Sequence, residues 1–333
     1  MNELYPIRFV PILKQKIWGG DRLRRLLNKK EAPNDTGESW EICALEGSES
    51  IVQNGFLAKN SLSEIIEVYM GDLVGESVFE RFDTKFPLLL KFIDAQDLLS
   101  VQVHPGDEMA FKKYGSNGKT EAWYIVEASK DAYLYTGFNR ELTKQGFKEK
   151  IDKKEVSDVL NKEIVEKGDV FFIPAGRIHA TGPGVLFAEI QQSSDVTYRV
   201  YDWDRKDQSG SLRELHVEDA LEALDFHVEK DYKSHYEAAE NRPAEIVDCD
   251  YFKVNKLALN EKYNAEYNRL DSFVVYMCID GKAHVEYKPG KSELLQKGET
   301  ILIPAVYESI KIIPDESVEI LEIYIPDRND PVV

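Results

Sequence analysis

Short apolar runs separated by turn residues dominate the pattern of hydrophobic and polar positions in the first 200 residues. The runs are rich in β-branched and aromatic residues, and Gly, Pro, Asn and Asp interrupt them. They lie at residues 86–93, 122–127, 132–136, 170–173 and 185–190. Many short strands bounded by turn residues are typical of a β-barrel or β-sandwich. The pattern therefore predicts a mainly β fold.

Two segments show helical signals instead. Ser61 and Glu64 have the spacing of a capping box, which predicts a helix that continues to about Met70. Residues 215–224 place apolar side chains at helical spacing. We expect these few helices to be additions to the barrel.

The chain carries a weak internal repeat. Residues 166–175 and 296–305 each read as a turn, an apolar strand and a proline that ends the strand. Between the copies, charged and small residues dominate positions 228–242, which predicts an interdomain linker. We therefore expect two barrels of one design: residues 1–235, with an N-terminal extension and short helices, and residues 240–333.

The second copy differs from the first at positions of chemical interest. The first copy continues to His179, whereas the same offset in the second copy reaches Ser309. Aligning Tyr124 with Tyr276 sets Glu121 against Phe273. We therefore expect the second barrel to lack metal-ligand side chains.

Composition and charge narrow the possible partners. The 333 residues have a formal net charge of −18 and a sequence pI near 4.9. Such a field repels phosphate backbones and anionic lipids, so we expect neither nucleic acid nor membrane partners. The chain start lacks a signal-peptide pattern and no stretch of 18 consecutive apolar residues occurs, which predicts a cytoplasmic protein. Cys43, Cys249 and Cys278 are widely spaced, and we interpret them as buried thiols.

Candidate chemistry is concentrated in the first barrel. Ser100, Gln102 and His104 alternate with valines and so share one face of a strand. Glu121 opens an apolar strand, and His179 lies between a strand and a Gly-Pro-Gly turn. Taken singly, each has an ordinary alternative: a solvated polar face, a surface acid or a structural histidine. Together, two imidazoles and a carboxylate form a ligand set for zinc or iron.

The remaining four histidines lie outside this block. We interpret them as surface or structural residues: His216, His227, His235 and His284.

Four separated segments resemble type I phosphomannose isomerases, and the short bacterial form in particular. They are residues 99–105, 118–123, 173–180 and 189–195. The resemblance runs from about Pro6 to Arg205 and continues more loosely through the second barrel. It implies two cupin-like barrels of the jelly-roll type and an enzyme that interconverts mannose 6-phosphate and fructose 6-phosphate. It also implies one Zn²⁺ per chain and a small-molecule hexose 6-phosphate as partner.

The resemblance assigns roles residue by residue. Its Gln-x-His pair falls on Gln102 and His104, and its other metal ligands fall on Glu121 and His179. Positions implied to face the substrate or hold its phosphate are Lys119, Arg199, Lys91 and Ser100. The chain lacks the large helical insertion of the long form between the Glu and second His motifs, so contacts from that insertion do not transfer.

The chemistry of the reaction explains these residue types. Proton removal next to a carbonyl builds negative charge on oxygen, which a metal ion and nearby cations stabilise in the enediolate. Glu189 is our candidate for the base, with Asp195, also expected to contact substrate, and a metal-bound water as alternatives. Arg199 has a further alternative, a surface ion pair with Asp195 or Asp202. Lys91, in an apolar strand, needs an anion partner or a route to water.

Three other functions remain open from the sequence. A non-catalytic sugar-phosphate regulator would keep the barrel and bind without turnover. An iron-dependent oxygenase would need a facial ligand triad and a position for oxygen. An isomerase for another hexose phosphate, such as glucose 6-phosphate, needs the same carbon-acid chemistry. The sequence does not decide between a monomer and a homodimer.

Overall fold

The computed structural model describes residues 3–206 and 210–327. In these ranges no helix is both long enough and apolar enough to cross a membrane. The strands are, in chain order, β1 (Ile7–Arg8), β2 (Ile12–Gly20), β3 (Thr36–Ile42), β4 (Ala44–Leu45), β5 (Ser48–Glu49), β6 (Leu88–Ala95), β7 (Val101–Val103), β8 (Glu121–Ala128), β9 (Tyr133–Phe138), β10 (Leu160–Ile164), β11 (Val170–Ile173), β12 (His179–Thr181), β13 (Val185–Gln192), β14 (Tyr198–Tyr201), β15 (Ala244–Asp248), β16 (Lys253–Leu259), β17 (Tyr263–Glu266), β18 (Val274–Lys288), β19 (Lys291–Gln296), β20 (Thr300–Ile303) and β21 (Ser309–Tyr324). The helices are α1 (Arg22–Leu26), α2 (Leu62–Val74), α3 (Glu76–Phe82), α4 (Asp107–Tyr114), α5 (Lys144–Asp152) and α6 (Val217–Ala223).

Three large sheets form the architecture. A six-stranded sheet has the order β11-β8-β13-β6-β3-β2, and a five-stranded sheet has the order β10-β9-β12-β7-β14. These two enclose the first barrel. An eight-stranded sheet contains the path β1-β20-β18-β21-β16-β15, with β17 and β19 paired to β21 and β18. The predicted mainly β, cupin-like fold with few helices is confirmed.

The central strands of the six-stranded sheet are buried on both faces, which explains their continuous apolar sequence. On β8, Trp123 and Ile125 face the interior of the first barrel, where Phe187 joins them. The alternate residues Tyr124 and Val126 join a different core, shared with the eight-stranded sheet. The sheet is therefore a wall common to both halves of the molecule.

The N-terminus of the chain belongs to the C-terminal sheet. In β1, Ile7 pairs with Leu302 of β20, and the buried Tyr307 side chain hydrogen bonds to the carbonyl oxygen of Leu4. The sequence gives no signal for this pairing because the partners are almost 300 positions apart. The division at residues 235–240 remains a proposal.

The two helices predicted from local sequence are present as α2 and α6, whereas the interdomain linker at residues 228–242 remains a prediction. The Ser61 hydroxyl accepts a hydrogen bond from the Glu64 backbone amide, and the Glu64 carboxylate accepts one from the Ser61 backbone amide. These two bonds form the predicted capping box at the start of α2. Residues 228–242 contain no helix and only isolated bridges. The linker is nevertheless anchored, because Tyr232 is buried and its hydroxyl donates to the Phe138 carbonyl.

The strand register corrects the alignment of the internal repeat by one residue. Ile173 and Ile303 are equivalent in the repeat, and they pair with Glu121 and Val274 respectively. Glu121 therefore corresponds to Val274 rather than to Phe273. The physical reason is that strand pairing, which sets the inward face, does not follow the spacing of the tyrosines.

A buried acid near the first barrel should make stability depend on pH. Asp94 is inaccessible to solvent. One carboxylate oxygen accepts a hydrogen bond from the Arg22 backbone amide at 2.8 Å, and the other has no hydrogen-bond partner among the described residues. Burial raises the pKa of Asp94 to about 6. Between pH 4 and 6 the folded state then binds more protons than the unfolded state, so stability falls as pH rises through that window.

We expect Asp94→Asn to remove this loss. When the pH rises from 4 to 7, the free energy of unfolding of the wild type should fall by on the order of 2 kcal/mol more than that of the variant. Urea unfolding of both proteins across this range measures the difference. Curves that stay parallel would contradict a raised pKa at Asp94.

Candidate metal centre and active site

The candidate metal ligands lie on two facing sheets, at one end of the first barrel. In the five-stranded sheet, His179 lies opposite Gln102, and Gln102 lies opposite Arg199 on its other side. Directly opposed residues point to the same face, so these three side chains line one wall. Glu121 comes from the facing sheet, as the first residue of β8.

The donor atoms converge. The Nε2 atom of His104 is 3.6 Å from one carboxylate oxygen of Glu121, and the Nε2 atom of His179 is 3.2 Å from the other. One donor atom from each of the three residues lies within 4.8 Å of the others. The side-chain amide nitrogen of Gln102 is 3.1 Å from His179 Nε2, so this amide borders the group. The meeting of His104, Glu121 and His179 agrees with the sequence prediction.

Backbone carbonyls orient both imidazoles. His104 Nδ1 lies 2.9 Å from the Val196 carbonyl oxygen, and His179 Nδ1 lies 2.9 Å from the Arg177 carbonyl oxygen. With the proton on Nδ1 donated to these carbonyls, the Nε2 lone pairs face Glu121. Metal-ligating histidines are typically held in this way.

The group fits a divalent metal ion. His104 Nε2 and both carboxylate oxygens of Glu121 are buried and have no hydrogen-bond partner in the part of the chain that the structure describes. Buried polar atoms are rarely left without a partner, so three together indicate a ligand. Burial lowers the pKa of His179 to about 4 and lowers that of His104, so both imidazoles are neutral near pH 7 and able to ligate.

A second polar cluster lies deeper in the same barrel. Lys91 Nζ donates at 2.7 Å to a carboxylate oxygen of Glu189 and at 2.7 Å to the amide oxygen of Gln191. Trp123 Nε1 donates to the other Glu189 oxygen at 3.1 Å. Burial alone would raise the pKa of Glu189, but the charges of Lys91 and Lys119 outweigh it and lower the pKa. Glu189 is therefore a buried, ionised carboxylate.

The anion partner that Lys91 requires is thus supplied by the protein. Burial alone would lower the pKa of Lys91, but the carboxylates of Glu189 and Glu38 raise it. The lysine is fully charged at neutral pH. Its expected role in holding the substrate phosphate remains a prediction.

Lys119 borders the metal group, and Arg199 lies opposite Gln102 on the same wall of the barrel. Lys119 is buried, with Nζ 3.5 Å from Glu121 Oε2. Arg199 donates from Nη1 to the Glu214 carbonyl oxygen at 2.8 Å, while its Nε is buried without a partner. Among the described residues Arg199 forms no ion pair; Asp202 is instead bound by Arg205 and Arg213. The surface ion pair considered for Arg199 is therefore absent from this part of the chain.

The last two predicted site residues differ in exposure. Ser100 is buried directly before β7, whereas Asp195 is exposed in the segment between β13 and β14. Their contacts with a substrate remain predictions.

Sequence reasoning missed part of this cluster. Glu38 is largely buried, forms an ion pair with Lys16 at 2.9 Å, and accepts Trp40 Nε1 at 2.6 Å. Trp40 lies opposite Lys91 in the sheet, with the lysine Nζ 5.4 Å from the ring centroid. The available signal was the alternation of Glu38 and Trp40 in the sequence, together with Gln191 two residues after Glu189.

The fold and the donor set define a protein of the cupin class with a buried group that could hold a metal ion. Comparison with known proteins agrees with this class. Residues 7–149 match the type I phosphomannose isomerase catalytic domain, and residues 244–318 match the mannose-6-phosphate isomerase cupin domain. The mannose-6-phosphate isomerase ManA of Bacillus subtilis is 37% identical over 309 residues, which cover 90% of this chain and 93% of the relative.

Solved structures extend the comparison. The crystal structure of the mannose 6-phosphate isomerase from Bacillus subtilis superposes with a TM-score of 0.86 at 32% identity, covering 96% of this chain and 99% of the other. The apo enzyme from Salmonella typhimurium shares the fold, with a TM-score of 0.76 at 15% identity, covering 98% of this chain and 100% of the other. The chain belongs to the type I phosphomannose isomerase family, as the sequence motifs predicted.

Proposed function

We propose that the chain interconverts mannose 6-phosphate and fructose 6-phosphate, using one zinc ion held by His104, Glu121 and His179, with Gln102 as a further ligand. The observation that carries the metal site is the set of three buried donor atoms without hydrogen-bond partners. Family membership and relatives named mannose-6-phosphate isomerase support the substrate. Two neutral imidazoles and one carboxylate are a typical set for catalytic zinc.

The residues around the metal group supply the remaining chemistry. When bound, the zinc ion would act as a Lewis acid that polarises the substrate carbonyl and stabilises the enediolate. Lys119 and Arg199 place two positive charges beside the group, where negative charge develops on oxygen. Glu189 is ionised and buried, and it accepts the proton that moves between C1 and C2 once Lys91 or Trp123 releases one of its oxygens. Lys91 keeps that carboxylate ionised and fixed in position.

The decisive experiment measures turnover and metal on the same purified protein. We expect equilibration of mannose 6-phosphate with fructose 6-phosphate in a coupled assay, no reaction with glucose 6-phosphate, and about one zinc per chain by elemental analysis. Chelation should abolish turnover and zinc should restore it. Binding of fructose 6-phosphate without interconversion would instead establish a regulator, and oxygen uptake with bound iron would establish an oxygenase.

Arg199 provides a specific test of charge stabilisation. We expect Arg199→Ala to lower kcat by about a hundredfold or more, the usual loss when one preorganised donor is removed. The variant should fold and keep its zinc, because the side-chain hydrogen bond of Arg199 seen among the described residues goes to the Glu214 carbonyl oxygen and not to a metal ligand. Steady-state kinetics measures the effect.

The matched control is Arg213→Ala. Arg213 is also a partly buried cation of this region, but it pairs with Asp202. Its kinetics should remain close to wild type. Equal turnover in wild type and Arg199→Ala would remove Arg199 from the mechanism.

A further inference from the structure

The second barrel retains a buried carboxylate where the first barrel has Glu189. In the six-stranded sheet, Glu189 lies opposite Trp123, two residues beyond Glu121. In the eight-stranded sheet, Glu322 lies opposite Tyr276, two residues beyond Val274. Since Glu121 and Val274 are equivalent, Glu322 is the counterpart of Glu189. The repeat has lost the metal ligand and kept the acid.

The charges that surround Glu322 differ from those that surround Glu189. Glu189 lies opposite Lys91, whereas Glu322 lies opposite Asn255. Asn255 Nδ2 donates to one oxygen of Glu322 at 2.8 Å, and the Tyr267 hydroxyl donates to the other. Within residues 3–206 and 210–327, the groups that hydrogen bond to Glu322 are thus uncharged, and Glu322 itself is 3% exposed. Burial raises the pKa of Glu322, and the hydrogen bonds from Asn255 and Tyr267 oppose this rise.

A cavity opens onto Glu322. Its volume is about 280 Å³, and its polar floor is formed by Glu322, Asn255 and Tyr267. Tyr263 and Tyr324 line its walls. The volume lies near the ~300 Å³ lower end of small-molecule sites, so it suits a ligand of monosaccharide size.

The lining fits an uncharged polyol better than an anion. A carboxyl group, a carboxamide and a phenol present hydrogen-bond donors and acceptors side by side, which matches a ring of hydroxyl groups. Tyrosine rings provide the apolar faces against which the C–H side of a sugar packs. Among the described residues no lysine lines the cavity, and one exposed cation and one exposed anion, Arg269 and Glu266, both contribute to its lining.

We propose that the C-terminal barrel is a second ligand site, which binds an uncharged hexose in the cavity above Glu322. The site is distinct from the metal centre and does not depend on it. Its position in the repeat indicates that the two barrels are variants of one sugar-binding design, one with a metal and fixed charges and one with neither.

The test is binding of free mannose to the full chain, saturated with mannose 6-phosphate at the metal centre. Isothermal titration should show saturable binding with a dissociation constant of about 1 mM, typical for a small polar ligand of this size. Tyr263→Ala and Glu322→Leu should weaken binding at least tenfold. Glu322→Gln should stay within about threefold of wild type, because the amide keeps the size of the side chain and an oxygen that accepts hydrogen bonds.

His179→Ala serves as the control for the metal centre and should leave mannose binding unchanged. Thermal unfolding identifies any variant that does not fold; Tyr263 is only partly buried, so its alanine variant keeps the test valid if Glu322→Leu fails. The proposal is overturned if mannose does not bind in a saturable way, if binding survives Tyr263→Ala, or if His179→Ala removes it.

Discussion

Alanine in place of His179 is expected to remove bound metal and turnover together. His179 Nε2 is one of three donors within 4.8 Å, so the two that remain cannot close the site. Loss of even an outer contact to a metal ligand commonly weakens binding 10–100-fold, and loss of a ligand should exceed that. Because a metal ion contributes several kcal/mol of charge stabilisation, we expect kcat/KM to fall by at least about a thousandfold.

Elemental analysis after dialysis and steady-state kinetics measure the two effects. His284→Ala is the matched control. His284 belongs to the second barrel, its side chain is half exposed, and its Nε2 atom lies 3.8 Å from Asp315. It should keep zinc and activity. Excess zinc should partly rescue His179→Ala if the loss is one of affinity. A stoichiometric zinc content in His179→Ala would refute the proposed ligand set.

The candidate metal group was predictable because its signals are local. The alternation of residues 100–104 places Gln102 on the face opposite Val101 and Val103, and the structure buries both valines in the core beneath α5 and α6. His179 is found at the start of a strand beside a turn, as its flanking residues indicate. The convergence of His104, Glu121 and His179 in space is not a local signal. It was predicted from the four ordered motifs that resemble a family of known fold.

The cluster behind the metal group was harder to predict because it depends on pairing between distant strands. Lys91 and Glu189 are 98 positions apart, and the apolar sequence around Lys91 does not name its partner. The pairing of β1 with β20, and the register that aligns Glu121 with Val274, also depend on contacts between strands that are distant in the sequence. Register is decided by which face each strand buries, and a single sequence specifies that only weakly for strands buried on both faces.

Substitution of Glu189 tests its proposed role in proton transfer separately from metal binding. Glu189→Gln keeps the size of the side chain and its acceptor for Trp123, but it removes the negative charge. We expect kcat to fall by about 10²–10⁴, the range for loss of a general base. Zinc content should be unchanged, because Glu189 is not one of the three convergent donors.

Glu41→Gln is a close control. Glu41 is a buried carboxylate 2.7 Å from Lys29, as Glu189 is from Lys91, but it lies outside the metal-site cluster. The same substitution there should alter stability without a comparable loss of kcat. Any general cost of breaking a buried Lys–Glu pair therefore appears in both variants, and only the difference between them reports on catalysis.

Hydrogen exchange distinguishes a base from a positioning residue. If Glu189 removes the C2 proton, Glu189→Gln should lose exchange of deuterium from C2 of mannose 6-phosphate with solvent in proportion to kcat. If Glu189 only holds Lys91, exchange should persist while KM for the phosphorylated substrate changes. Asp195→Asn completes the comparison, because the exposed Asp195 is the alternative base. A larger loss of exchange in Asp195→Asn than in Glu189→Gln would transfer the role to Asp195 and leave Glu189 as the anion that orients Lys91.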